Sequence, residues 1–160
     1  MMRILVYSIF ILLAVSCSTE SNNHQLGERF FEIYSKRAEI DKMLSFYADE
    51  FEYENIGFSS STNDPKFLYE DFYGWKNPSI KYESENSITV TEILSNKYSI
   101  VAKGYTMPYL YNGNYVEGNR FVIWLELDDN SRIIKQTDWY DYPMSEIIEA
   151  YQLKQSISID

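Results

Sequence analysis

Two carboxylates sit among three aromatic rings in the stretch QTDWYDYP, Gln136 to Pro143: Asp138 and Asp141 beside Trp139, Tyr140 and Tyr142. An acid surrounded by rings is partly stripped of water, which raises its pKa and suits it to proton transfer near neutrality. The same pattern also fits a strand end whose rings make core and whose acids face solvent. Alternate residues of a strand share a face, so Asp138 sides with Gln136 and Tyr140, while Thr137, Trp139 and Asp141 take the other. In the plainer reading Asp138 bonds a neighbouring backbone group or a Tyr hydroxyl, and Asp141 caps the sheet end.

Other chemistries lack their parts. The one histidine, His24, lies in a polar N-terminal stretch, so Ser–His–Asp or Cys–His catalysis has no base. A His/Cys zinc site has too few ligands, and there is neither a glycine-rich phosphate loop nor a dinucleotide fingerprint. No metal and no cofactor is expected. DDNSR, Asp128 to Arg132, has the oxygen-rich look of a calcium loop, but a hairpin turn accounts for it. The balance of 14 basic against 24 acidic side chains, with no Lys/Arg cluster, argues against nucleic acid and against adsorption of the folded surface to an anionic bilayer.

The first seventeen residues, MMRILVYSIFILLAVSC, have a basic Arg3, an apolar run from Ile4 to Val15 too short to span a bilayer comfortably, and small residues before the single cysteine. Residues 1–16 therefore read as a signal peptide. Ala14-Val15-Ser16-Cys17 resembles the lipobox of bacterial lipoproteins, which implies cleavage before Cys17 and its lipidation. Two or three acyl chains would hold the protein at a membrane of the bacterial cell envelope, the outer membrane before the inner. Residues 17–25, polar from Ser18 to Gln25, read as a flexible tether.

Leu26, Phe30, Phe31, Ile33, Tyr34 and Ala38 repeat at helical spacing, which predicts a helix over 26–38. A short helix follows from Asp41 through Tyr47, then a strand near Phe51 to Asn55, with GFSSSTN as a loop. Asp64-Pro65 marks a third helix, carrying Phe67, Leu68, Phe72 and Trp75 and stopping at Asn77-Pro78. The remainder is strand-like: residues 80–94, Tyr98 to Met107, a hairpin at Asn112-Gly113 with a bulge near Gly118, the strand in RFVIWLEL and a last strand from Ile133 to Tyr142. Phe121, Ile123, Leu125 and Leu127 face one way, Val122 and Trp124 the other, so that strand should be central and covered on both sides. Ser145 is a candidate cap for a final helix bearing Ile147, Ile148 and Tyr151.

This order of elements is α+β with segregated helices. It resembles the nuclear transport factor 2-like superfamily, and within it the SnoaL-like and ketosteroid isomerase-like proteins. The resemblance rests on DKMLSFYADEFEYEN, NDPKFLYEDF and DDNSRIIKQTDWYDYP. It implies a cone: a strongly curved, mostly antiparallel sheet wrapped around about three N-terminal helices, in a domain spanning 26–153 with a tail over 154–160. It also implies a cavity at the wide end, into which a carboxylate on the last strand points, and Asp138 matches that position. In the epoxide-hydrolase branch an Arg-x-Asp pair completes the site. Here Lys103 and Tyr105 stand in its place, so the second carboxylate is missing.

The leading expectation is a lipid-anchored domain that binds a small, largely apolar or aromatic molecule in its cone. Tyr53, Trp75, Tyr105, Trp124, Asp138 and Tyr140 are expected to line that cone. The alternatives are an isomerase, hydrolase or cyclase using Asp138 as general acid–base, and a non-catalytic envelope module that forms a homodimer or docks a partner through the sheet. An open cone would favour the first two, a filled cone with an apolar outer sheet face the third.

Overall fold

The computed structural model describes residues 22–144 together with Ile148 and Gln152. The expected signal peptide, Cys17, the cap Ser145 with Ile147 and Tyr151, and the 154–160 tail lie outside the described residues. Three helical segments precede most of the sheet. Helix α1 covers residues 22–36, α2 is Ile40–Leu44, and α3 is Pro65–Phe67, which widens into a π-turn over Leu68–Phe72. The strands are β1 Tyr47–Asn55, β2 Ser60–Thr62, β3 Ile80–Tyr82, β4 Ile88–Ser95, β5 Ser99–Thr106, β6 Tyr109–Tyr111, β7 Asn114–Val116, β8 Arg120–Leu127 and β9 Ile133–Tyr140.

Six strands form one mixed sheet in the order β2-β1-β9-β8-β5-β4, and β3-β6-β7 form a second, small one. Every pairing is antiparallel except β1 with β9, which run side by side with Tyr53 opposite Gln136 and Asn55 opposite Asp138. The sheet closes over the helices as the α+β cone expected. One face of β8 (Phe121, Ile123, Leu125, Leu127) is buried with Phe30, Met43, Leu68 and Ile100. Fully burying a side chain of this size contributes about 1.5–3 kcal/mol, so this face holds the sheet to the helices.

Polar anchors fix the helices. Asp64 caps α3, its carboxylate accepting from Lys66 N at 2.8 Å and Phe67 N at 3.1 Å, with Pro65 at the first helical position. Four residues of the expected tether are instead helical, because Asn23 is a buried clasp. Its Nδ2 donates to the carbonyls of Asn96 at 2.9 Å and Lys97 at 3.0 Å, and its Oδ1 accepts from Ser131 Oγ. Helix α1 is thereby tied to the β4–β5 and β8–β9 turns. In the latter turn Asp128 Oδ1 accepts from the amides of Asn130 and Arg132, the hairpin use of DDNSR.

The strand-like run over 80–94 divides. Ile80–Tyr82 pairs with β6 in the small sheet, while Ile88–Ser95 pairs with β5 in the large one. Ser60–Thr62, expected within a loop, is an edge strand on β1. The Asn112-Gly113 hairpin forms with both residues at positive φ, 50° and 82°. Gly118 lies outside any strand, and the ladders shift register instead between Tyr47 and Glu52 on β1, between Glu126 and Leu127 on β8, and between Val90 and Glu92 on β4. There Thr89 O crowds Gly104 so closely that a Cβ has no room.

Candidate functional site

Asp138 is fully buried on the inner face of β9, between Gln136 and Tyr140, as strand alternation requires. Three neutral donors hold its carboxylate. Gln136 Nε2 reaches Oδ1 at 3.0 Å, Tyr53 OH reaches Oδ2 at 3.4 Å, and Tyr73 OH donates a short hydrogen bond to the same Oδ2. Gln136 Nε2 also donates to Tyr73 OH at 3.0 Å, and Gln136 Oε1 accepts from Tyr47 OH at 2.5 Å, itself 2.5 Å from Tyr69 OH. On the other side Asn55 Nδ2 donates to Tyr53 OH at 3.3 Å and to Tyr142 OH at 3.1 Å.

The helical segments place two of these tyrosines. In the π-turn Tyr73 N bonds Leu68 O at 2.8 Å, and Trp75 N then bonds Tyr69 O at 2.9 Å. The wide turn brings Tyr69 and Tyr73, four residues apart, onto the inner side. Arg37 locks the exit by donating to the carbonyls of Tyr73 at 2.9 Å and Gly74 at 2.8 Å. The Tyr73 ring then sits among Tyr34, Tyr53, Tyr69 and Phe72, with centroids 5.6, 6.1, 5.4 and 5.6 Å away.

Among the described residues no Lys, Arg or His pairs with Asp138. Burial disfavours its anion, and the three hydrogen bonds favour it. Burial prevails and the pKa is pushed up from 3.8 to about 7. The surrounding phenols Tyr34, Tyr53, Tyr69, Tyr73 and Tyr140 are all driven upward, first by burial and next by other anionic or phenolic neighbours or by hydrogen bonds, so they remain neutral donors.

The residues expected to line the cone separate into two groups. Tyr53 and Asp138 meet directly, and Tyr140 joins through Tyr34, hydroxyl to hydroxyl at 3.1 Å. Trp75 packs one ring further out, on Tyr69 at 4.7 Å and Tyr34 at 5.9 Å, and its buried indole N–H meets no acceptor among the described residues. Tyr105 and Trp124 do not belong to the site. Each is 44% exposed on the outer sheet face, because each alternates with inward positions, Gly104 for Tyr105 and Ile123 and Leu125 for Trp124. Lys103 lies on that outer face too, paired with Glu92, and Asp141 pairs with Arg120 there, so neither reaches Asp138.

Two expectations about shape are corrected. Where an open hollow was expected at Asp138, the Tyr73 side chain stands against its carboxylate; a hollow of about 510 Å³ between α1 and β4 and one of about 540 Å³ on the outer face are both lined by other residues than Asp138. Strand β8 is central but the described residues cover it on one side only, leaving its Val122 and Trp124, and Trp139 of the neighbouring β9, between 37% and 44% exposed. Sequence reasoning missed Tyr34, Tyr73, Asn55 and Gln136 as site residues. The signals were there in part: Tyr34 on the apolar stripe of α1, and Tyr69 and Tyr73 at helical spacing after Pro65.

No family model matches the chain, and no curated protein is detectably similar to it. Solved structures do match. An LEH-like epoxide hydrolase from M. tuberculosis is 16% identical, with 86% of this chain and 97% of that chain covered and a TM-score of 0.60. A nuclear transport factor 2-like protein from Burkholderia thailandensis is 11% identical, with 85% and 97% covered and a TM-score of 0.61. A protein with a ketosteroid isomerase-like fold from Catenulispora acidiphila, in complex with trimethylamine, is 10% identical, with 71% and 82% covered and a TM-score of 0.52. The chain has the nuclear transport factor 2-like fold. Within this nuclear transport factor 2-like cone the acid on the last strand points inward, as the resemblance implied. Among the described residues no second carboxylate joins the cluster, and Tyr73 lies against Asp138.

The raised pKa gives stability a pH dependence of known sign. Between the unfolded value near 4 and the folded value near 7, the folded chain binds the extra proton, so stability falls as pH rises and levels off above 7. Asp138→Asn lacks this dependence. Denaturant unfolding should show the variant gaining on the wild type from pH 4 to pH 8, by on the order of 4 kcal/mol at about 1.4 kcal/mol per pKa unit; a pH-independent difference would contradict the assignment.

Proposed function

We propose that this domain binds a small, largely apolar or aromatic molecule inside its cone, with Asp138 as the polar anchor and the Tyr73 side chain as the group the guest displaces. One observation carries the reading. The Tyr73 phenol already behaves as a guest, its ring enclosed by four others and its hydroxyl on the carboxylate. Tyr73 is only partly buried and Phe72 beside it is 36% exposed, so the path inward lies through these two side chains. The trimethylamine bound by the Catenulispora protein supports a fold that accepts small guests.

Catalysis with Asp138 as general acid–base is the second reading, favoured by a pKa near 7 in a water-poor setting. Proton transfer would then rest on Asp138 with Tyr53 and Tyr73 as hydroxyl partners, since Glu52 and Glu54 point outward. The LEH-like epoxide hydrolase of the same fold supports an enzyme of this kind. We further infer that Cys17 is lipidated and holds the domain at the cell envelope, a reading supported by the Arg3, apolar-run and Ala14-Val15-Ser16-Cys17 pattern.

Three experiments test these readings. In Tyr73→Ala, para-cresol should refill the emptied box and raise the melting temperature in proportion to its occupancy; a variant indifferent to para-cresol contradicts the binding reading. Asp138→Asn should lose turnover of an identified substrate by about 100-fold or more if the acid is catalytic, and undiminished turnover eliminates the enzyme reading. Mass spectrometry of the mature N-terminus should find a diacyl or triacyl Cys17, and an unmodified thiol would rule lipidation out.

A further inference from the structure

Among the described residues the carboxylate sealed among rings has no positive partner, and that lack selects among guests. The groups facing Asp138 are Tyr34 from α1, Tyr47 and Tyr53 from β1, Tyr69 and Tyr73 from the π-turn, and Gln136 and Tyr140 from β9. All are neutral. Arg37 acts through space on Tyr34, but its guanidinium is committed to the carbonyls of Tyr73 and Gly74 and lies 5.2 Å from the centre of the Tyr82 ring. Among the described residues the cluster thus has one removable negative charge and no positive one to offset it.

Anions are excluded twice, by Asp138 and by the negative faces of the rings. A neutral guest leaves the carboxylate with the same uncompensated burial it has now. A cation supplies the missing charge, and aromatic faces attract it further, most strongly where water is excluded. Building on the binding reading above, we propose that the guest is a small organic ammonium ion, seated in the ring box beside the Asp138 carboxylate once the Tyr73 side chain has swung out. Its binding keeps Asp138 ionised, so affinity and the loss of the Asp138 proton are linked.

The test uses tetramethylammonium, whose charge does not titrate, against tert-butanol, a neutral probe of similar shape. Both are titrated calorimetrically into the full chain, Tyr73→Ala and Tyr73→Ala/Asp138→Asn. At pH 8 tetramethylammonium should bind Tyr73→Ala at least roughly tenfold more tightly than tert-butanol. That preference should shrink below pH 7 as Asp138 takes up its proton, and vanish in the double variant. The wild type should show the same preference with weaker affinity, because Tyr73 competes. Equal binding of the two probes, or a preference that survives Asp138→Asn, overturns the ammonium assignment while para-cresol binding leaves the pocket standing. If Tyr73→Ala takes up neither these probes nor para-cresol, the pocket reading falls and this inference falls with it.

Discussion

A carboxyl group held out of water by neutral hydrogen-bond donors, with no charged one among the described residues, is the constraint on which the site depends. Three donors keep Asp138 from being an unsatisfied buried acid, yet none brings a charge, and desolvation sets its pKa near 7. The arrangement draws on every layer of the fold. Strand β9 aims Asp138 and Gln136 inward, the parallel neighbour β1 brings Tyr53 alongside, and the π-turn lowers Tyr73 from above. Arg37 then fixes the backbone that carries Tyr73. The cone is a polar network enclosed by rings, with the rest of the apolar core below it.

The two faces of the sheet divide the remaining chemistry. Inside, hydroxyls and amides link Tyr69 through Gln136 and Asp138 to Tyr142 without a break. Outside, Trp124 and Trp139 lie 6.5 Å apart beside Val122, with exposed ion pairs such as Arg120–Asp141 and Lys103–Glu92 around them. Such pairs add little stability in water. An uncovered apolar strip of this kind is compatible with self-association through the sheet, the third reading the sequence offered. The inner pocket stands or falls on whether Tyr73 yields.

Strand alternation and turn chemistry are local, and for that reason they were legible. The facing of Asp138, the Asp64-Pro65 helix start, the Asn112-Gly113 hairpin and the inward face of β8 all follow from neighbours in the chain. Tyr105 and Trp124 lie outside the cone because strand parity turns them outward, and parity outweighs the aromatic character that suggests pocket lining. Partners from distant segments were beyond reach. That Tyr34, Tyr73 and Asp138 converge depends on the β1–β9 pairing and on the π-turn, and neither has a signature in local sequence. The same holds for Asn23, whose polar surroundings suggested a tether while its three hydrogen bonds make it a clasp.

The central claim concerns the charge state of one side chain, and it can be read directly. Carbon-13 chemical shifts of the Asp138 side-chain carboxyl, followed from pH 3 to pH 9 and assigned by its absence in Asp138→Asn, report its titration alone. The account predicts a midpoint near 7. A midpoint near 4, where an aspartate in water titrates, would contradict it.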